Sequence, residues 1–195
     1  MRRKAAQGFT LVEVVLGALT LAVVASAILG AYVGQVTLNE HARNLTWATQ
    51  DANRVVEQIR LENTGPGCTS PDVVPAGVTS WNAWMNTGGG GAPKSLKPDP
   101  DLNELIVVTC QNNPSAGAPL YCGDADQVGT GEWAQAAGFN SDYDPLRVTV
   151  SVCWRHRNRT IGECTWNGAT LSASDTDGDG VIEAPAMLTT LVTCR

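Results

Sequence analysis

From Phe9 to Gly34 the chain is apolar apart from a single charge, Glu13, and a short stretch carrying Arg2, Arg3 and Lys4 precedes it. A proline-free apolar run of more than about 20 residues is long enough to cross a bilayer as a helix, and a helix is the one single-segment structure that satisfies its own backbone in lipid. The leading cations place the amino end on the cytoplasmic side and the rest of the chain outside. A carboxylate inside the membrane costs at least ~2.5 kcal/mol, so Glu13 reads as functional and in need of a positive partner. An ordinary secretory signal is cut after its apolar region. Here the small residue, Gly8, stands before it, so a cut after Gly8 leaves the membrane segment in place. Such a cut also creates an amine on Phe9, four residues from Glu13.

The run Gly8, Phe9, Thr10, Leu11, Val12 and Glu13 resembles the start of the type IV pilin family, pseudopilins of type II secretion included. The resemblance is close over the first third of the chain and general beyond it. It implies that a prepilin peptidase cuts after Gly8 and methylates Phe9. It further implies that Glu13, with Thr10 beside it in the motif, registers each incoming subunit against its neighbour. The implied partners are other pilin subunits, the peptidase, the inner-membrane assembly platform and the membrane itself. The implied location is the bacterial inner membrane for the precursor, then an extracellular pilus or a periplasmic pseudopilus. Many relatives of this kind carry a proline in the helix where it unwinds inside the fibre, and this sequence has none. Gly17, Gly30 and Gly34 fit either local melting or close helix packing.

The expected fold is α+β: a long N-terminal helix, membrane-spanning and then amphipathic, packed on a small antiparallel β-sheet head. The expected divisions are a leader at 1–8, a membrane or fibre-core helix at 9–34, its amphipathic continuation at 35–62, and a disulfide-stapled head at 63–195. Two globular domains do not fit into 195 residues once the helix is subtracted. Of 13 basic residues three lie in the leader, which leaves ten against 19 acidic ones and a mature chain at −9. A broad nucleic-acid surface is therefore not expected.

Within the continuation, Leu45, Ala48, Ala52, Val55 and Ile59 recur at spacings of three and four and form one apolar face. Glu40, Arg43, Asp51, Arg54, Glu57 and Arg60 read as a solvated face supported by the pairs Asp51 with Arg54 and Glu57 with Arg60. A glycine- and proline-rich connection follows Asn63, and in it Trp81 and Trp84 read as an aromatic pair pinning the loop, with an exposed recognition patch as the alternative. Strands are expected at Leu105–Cys110, at Arg147–Trp154 by strict alternation, at Thr160–Trp166 as a hairpin return, and at Met187–Cys194. Three or four antiparallel strands follow from that pattern.

Six cysteines, all beyond the helix, suit an oxidising compartment and allow fifteen pairings. Closeness along the chain, and the way pilins tie down their carboxy end, favour Cys110 with Cys122, Cys153 with Cys164 and Cys68 with Cys194. The segment Asp175, Asp177, Asp179, Gly180, Val181, Glu183 follows the first positions of an EF-hand loop, with Ala186 where the bidentate glutamate belongs. Calcium and an ordinary Asp-Gly turn are both open there. Arg155, His156, Arg157 and Arg159 form a basic cluster, read as a solubilised hairpin tip with DNA capture as the alternative. No nucleophile elbow, metal-binding histidine pair or cysteine-histidine arrangement stands out, so catalysis is not expected. The function implied is a structural subunit of a type IV pilus or related filament, a minor pilin more than a major one. The alternatives are a type II secretion pseudopilin and, from another class, a membrane-anchored adhesin or DNA-uptake module.

Overall fold

A computed structural model describes residues 10–65, 68, 73, 77–78, 80–89, 93–96, 103–112, 120–121, 145–177 and 181–195. Helix α1 runs over Leu11–Glu62, 52 residues, and contains no proline. Its residues divide between two units, one ending at Arg43 and the other beginning at Asn44. In the first unit the large apolar side chains are open on all sides, with Leu11, Leu21 and Leu38 among the most exposed. By length and composition this helix is able to cross a membrane, which fits membrane anchoring.

In the second unit Asn44, Ala48, Asp51, Ala52, Val55, Val56 and Ile59 are buried. Their spacing follows the helical repeat, so they form one stripe. The stripe packs on an antiparallel sheet made of β1 (Glu104–Asn112), β2 (Leu120–Tyr121), β3 (Leu146–His156), β4 (Arg159–Ile161) and β7 (Ala186–Val192). The order is β2-β1-β3, and the other edge of β3 pairs first with β7 and then with β4. Strand β3 is the centre because it pairs along both edges, and it is buried on both faces from Val148 to Trp154: Val148, Val150, Val152 and Trp154 join the α1 stripe in the main core, together with Ile106 and Val108 of β1 and Val192 of β7. The chain is thus α+β, with the second part of a long helix packed on a small antiparallel sheet.

A second layer covers part of the opposite sheet face. Strands β5 (Cys164–Trp166) and β6 (Leu171–Ala173) form a hairpin. Their Cys164, Leu171 and Ala173 close over Leu105, Cys153 and Ile182. The expected return strand at Thr160–Trp166 is therefore two strands, with β4 on β3 and β5 on β6. Among the described residues, the expected three or four strands become a five-stranded sheet and a separate hairpin. The division falls at Gly162, whose φ of +96° turns the chain out of the sheet. A Cβ there would stand 2.8 Å from Cys153 Sγ and 3.0 Å from Ala184 Cβ, so the turn requires glycine on both grounds.

The connection between helix and sheet is pinned by α2 (Trp81–Asn86), which Ser80 caps by accepting the Ala83 N–H at 3.0 Å. Trp81 is fully buried and donates its indole N–H to Val73 O at 2.6 Å. Trp84 meets it edge-on, with centroids 5.3 Å apart. Asn82 accepts the Ile106 N–H at 3.2 Å and so fixes the start of β1. A disulfide joins Cys68 to Cys194, and Gly65 N–H donates to Arg195 O at 2.7 Å beside it. A second disulfide, Cys153 to Cys164, ties the hairpin layer to β3. Cys110 is also disulfide-bonded, and Cys122 lies outside the described residues.

Candidate functional site

Gly8 and Phe9 lie outside the described residues, of which Thr10 is the first. Thr10 O accepts the first helical bond, from Val14 N–H at 3.2 Å, which makes Thr10 the N-cap and Glu13 the third helical residue. Glu13 reaches back to accept both the Thr10 N–H and the Thr10 hydroxyl at 3.0 Å, and the Glu13 N–H donates to Thr10 Oγ1 at 3.3 Å. This is a capping box, and its Thr-x-x-Glu signature is present in the sequence. Glu13 therefore has a local partner in the single chain as well as the intermolecular one expected of it. Further along, Thr20 and Ser26 turn their hydroxyls back onto Gly17 O and Ala22 O at 2.9 and 2.7 Å. These bonds remove two donors from the surface of the apolar segment, as an apolar surrounding demands.

The acidic loop gathers differently from its linear pattern. The carboxylates of Glu163, Asp175 and Asp177 offer ligand oxygens that lie within 4.8 Å of one another. Asp179 and Gly180 are outside the described residues. Val181 is half-buried and Glu183 exposed, and Glu183 takes part through its backbone: its N–H donates to Glu163 Oε2 at 3.0 Å and its carbonyl accepts the Glu163 N–H at 2.7 Å. The Thr176 hydroxyl donates to Glu163 Oε1. The Glu183 N–H, and after it Thr176, hold the Glu163 carboxyl below the ordinary carboxylate range. An all-oxygen set of carboxylates suits a hard cation such as calcium. Glu163 was not legible from the loop itself, because the pairing that delivers it depends on the turn at Gly162.

Asp51 does not belong to a solvated face, which corrects the expectation from charge alone. It is fully buried, and Ser95 N–H and Ser95 hydroxyl donate to it at 2.6 and 2.8 Å. Arg54 bonds it at 3.0 Å and also reaches Gly89 O and Pro93 O, so one helical turn fastens the loop before β1. Lys94 and Glu104 are each 1% exposed beside it, and Lys94 Nζ donates to Glu104 O at 2.8 Å. Burial first, and then the facing Asp51 carboxylate, push the Glu104 carboxyl up to about 8 against the pull of Lys94. The Glu57–Arg60 pair is on the surface as expected, at 2.8 Å.

The basic cluster sits on the β3–β4 hairpin, where Arg157 and Asn158 take φ of 48° and 65°, the mirror-image turn that two-residue hairpins favour. Arg155 stacks 4.2 Å over the Trp166 ring and donates to Asn158 Oδ1 at 2.8 Å, so it is part of the fold. Arg157 and Arg159 are exposed. His156 Nδ1 lies 3.3 Å from Asn44 Nδ2 and links the hairpin to α1. Comparison with protein-family models, with curated proteins and with solved structures finds no match for this chain.

Proposed function

We propose that this chain is a structural subunit of a type IV pilus or related filament, a minor pilin more than a major one. It is held first in the inner membrane and then in the fibre by the apolar part of α1. The observation that carries the reading is the pairing, on one helix, of an open apolar stretch with an N-terminal Thr10–Glu13 cap whose carboxylate is the only charge in the sequence from Phe9 to Gly34. Lipid and the packed helices of neighbouring subunits are interchangeable apolar surroundings for such a surface. Glu13 is the group able to switch partners, from its own Thr10 to the new amine on Phe9 of the same or an adjacent chain.

Calcium belongs to the same proposal, held by Glu163, Asp175 and Asp177 and ordering the segment that enters β7. Shearing of surface fibres from the native cell, followed by immunoblotting of fibre and membrane fractions, tests the assembly reading. Wild-type chain is expected in both fractions and Glu13→Ala chain in the membrane alone. Glu13→Ala chain in fibres at the wild-type level would overturn it and favour a membrane-tethered module that never polymerises. Calcium titration of the full chain in detergent micelles is expected to raise its melting temperature, and Glu163→Gln is expected to remove that rise.

A further inference from the structure

The sheet face opposite α1 is only partly covered by the β5–β6 layer. Where that cover stops, a cavity of about 190 Å³ opens, lined by Thr109, Arg147, Thr149, Val181, Met187 and Thr189. The strand register sets Thr109 opposite Thr149 and Thr149 opposite Thr189, so three threonines form one row across β1, β3 and β7. Thr149 and Thr189 share a hydrogen bond at 3.1 Å, and together they keep one spare hydroxyl proton and several lone pairs. Thr109 Oγ1 is buried without any hydrogen-bond partner. Buried hydroxyls are seldom left so, and each such case calls for an explanation. At the rim, Arg147 is exposed, and its side chain makes no hydrogen bond or ion pair with another described residue. Its guanidinium carries five donors in a chain of net charge −6.

The geometry points to a binding site for a small hydroxylated carboxylate, with an acidic sugar such as a uronic acid residue as its natural occupant. Each part of the ligand has a counterpart. The planar guanidinium of Arg147 matches a carboxylate in two-point contact. The exposed Thr189 hydroxyl, held by Thr149, supplies a donor and acceptors for ring hydroxyls, with Thr109 closed off behind them at the base of the row. Met187 and Val181 give apolar walls for the C–H faces of a sugar ring. The volume lies below the ~300 Å³ at which pockets for larger ligands begin, so one ring fills it. A phosphate dianion suits it less well, because one arginine faces it and the apolar walls would meet charged oxygens. The site is on the head and does not depend on whether the chain polymerises.

Calorimetric titration of the full chain in detergent micelles with D-galacturonate, with D-glucose as neutral control and inorganic phosphate as a second anion, tests the assignment. Saturable binding of galacturonate is expected, with glucose weaker by about tenfold or more, the worth of one charge-assisted contact, and phosphate weaker because it leaves the apolar walls unused. Arg147→Gln is expected to abolish the preference for galacturonate over glucose, and Thr189→Val to weaken both sugars by a few-fold, about one neutral hydrogen bond. Both substitutions are read beside the melting temperature, so that a folding defect is seen directly. Tighter binding of a galacturonate oligomer would assign the site to a polysaccharide, and equal binding to the free acid; both agree with the proposal. No saturable galacturonate binding by the folded wild-type chain, an unchanged preference in Arg147→Gln, or phosphate binding tighter than galacturonate would overturn it.

Discussion

The two parts of α1 share one secondary structure and face opposite demands. Before Arg43 the helix shows Leu, Val and Ile on every side and buries none of them. After Asn44 it buries a single stripe of small and β-branched residues and leaves Glu57 and Arg60 in solvent. Helix propensity and length do not separate these parts, and the distribution of apolar residues around the axis does. An all-round apolar helix needs an all-round apolar environment, whereas a one-sided helix needs only a sheet to lie on. The polar side chains divide in the same way. In the first part Thr20 and Ser26 bond to their own backbone; in the second Asp51 and Arg54 reach out to a loop.

Equal truncations in the two parts sharpen that contrast most. Ile59→Ala, in the buried stripe, is expected to cost about 4 kcal/mol of head stability in thermal or denaturant unfolding. Leu21→Ala removes a similar side chain from the open part and is expected to leave the head unchanged while weakening partition into membranes. Equal effects of the two on the head would break the comparison. Asp51→Ala comes next, at about 3 kcal/mol, because it leaves the Ser95 donors and Arg54 without their acceptor. Limited proteolysis should then cut first in the loop before β1.

Glu104 gives a prediction in pH. Its carboxyl is raised from 4.5 to about 8 in the folded chain, so the folded state holds the proton more tightly than the unfolded one. Its contribution is fully present below pH 4.5 and is lost as pH rises through about 8. The melting temperature of the wild type relative to Glu104→Gln should therefore fall across that window, and a constant difference would remove the buried carboxyl pair from the account. The smallest effect is expected at the surface of the second part, where Arg60→Ala should cost under ~1 kcal/mol, since the Glu57–Arg60 pair is solvent-screened.

The helix and the strands β1, β3 and β7 were legible because their signals are local. An apolar run, a three-and-four spacing and an alternation of valines with polar residues each declare themselves within a dozen residues. What was not legible depends on contacts across the chain. Asp51 falls on the buried face by spacing, yet its charge argued for solvent, and the residues that stabilise it, Ser95 and Arg54, include one that lies 44 positions away. Gly162 marked no break in a strand pattern until Cys153 and Ala184 were seen to crowd it. Glu163 joins Asp175 and Asp177 only through that turn, so a linear loop pattern could not include it. The threonine row has the same origin, since three strands distant in sequence must pair in one register to make it.

The central proposal is that the working chain begins at Phe9 and that the open part of α1 lies among lipids or sister helices. Mass spectrometry of the chain recovered from native membranes and from sheared surface fibres tests it most directly. The account predicts a chain beginning at an N-methylated Phe9 with the whole apolar segment retained. A chain still carrying Met1, or one cut beyond Gly34, would contradict it.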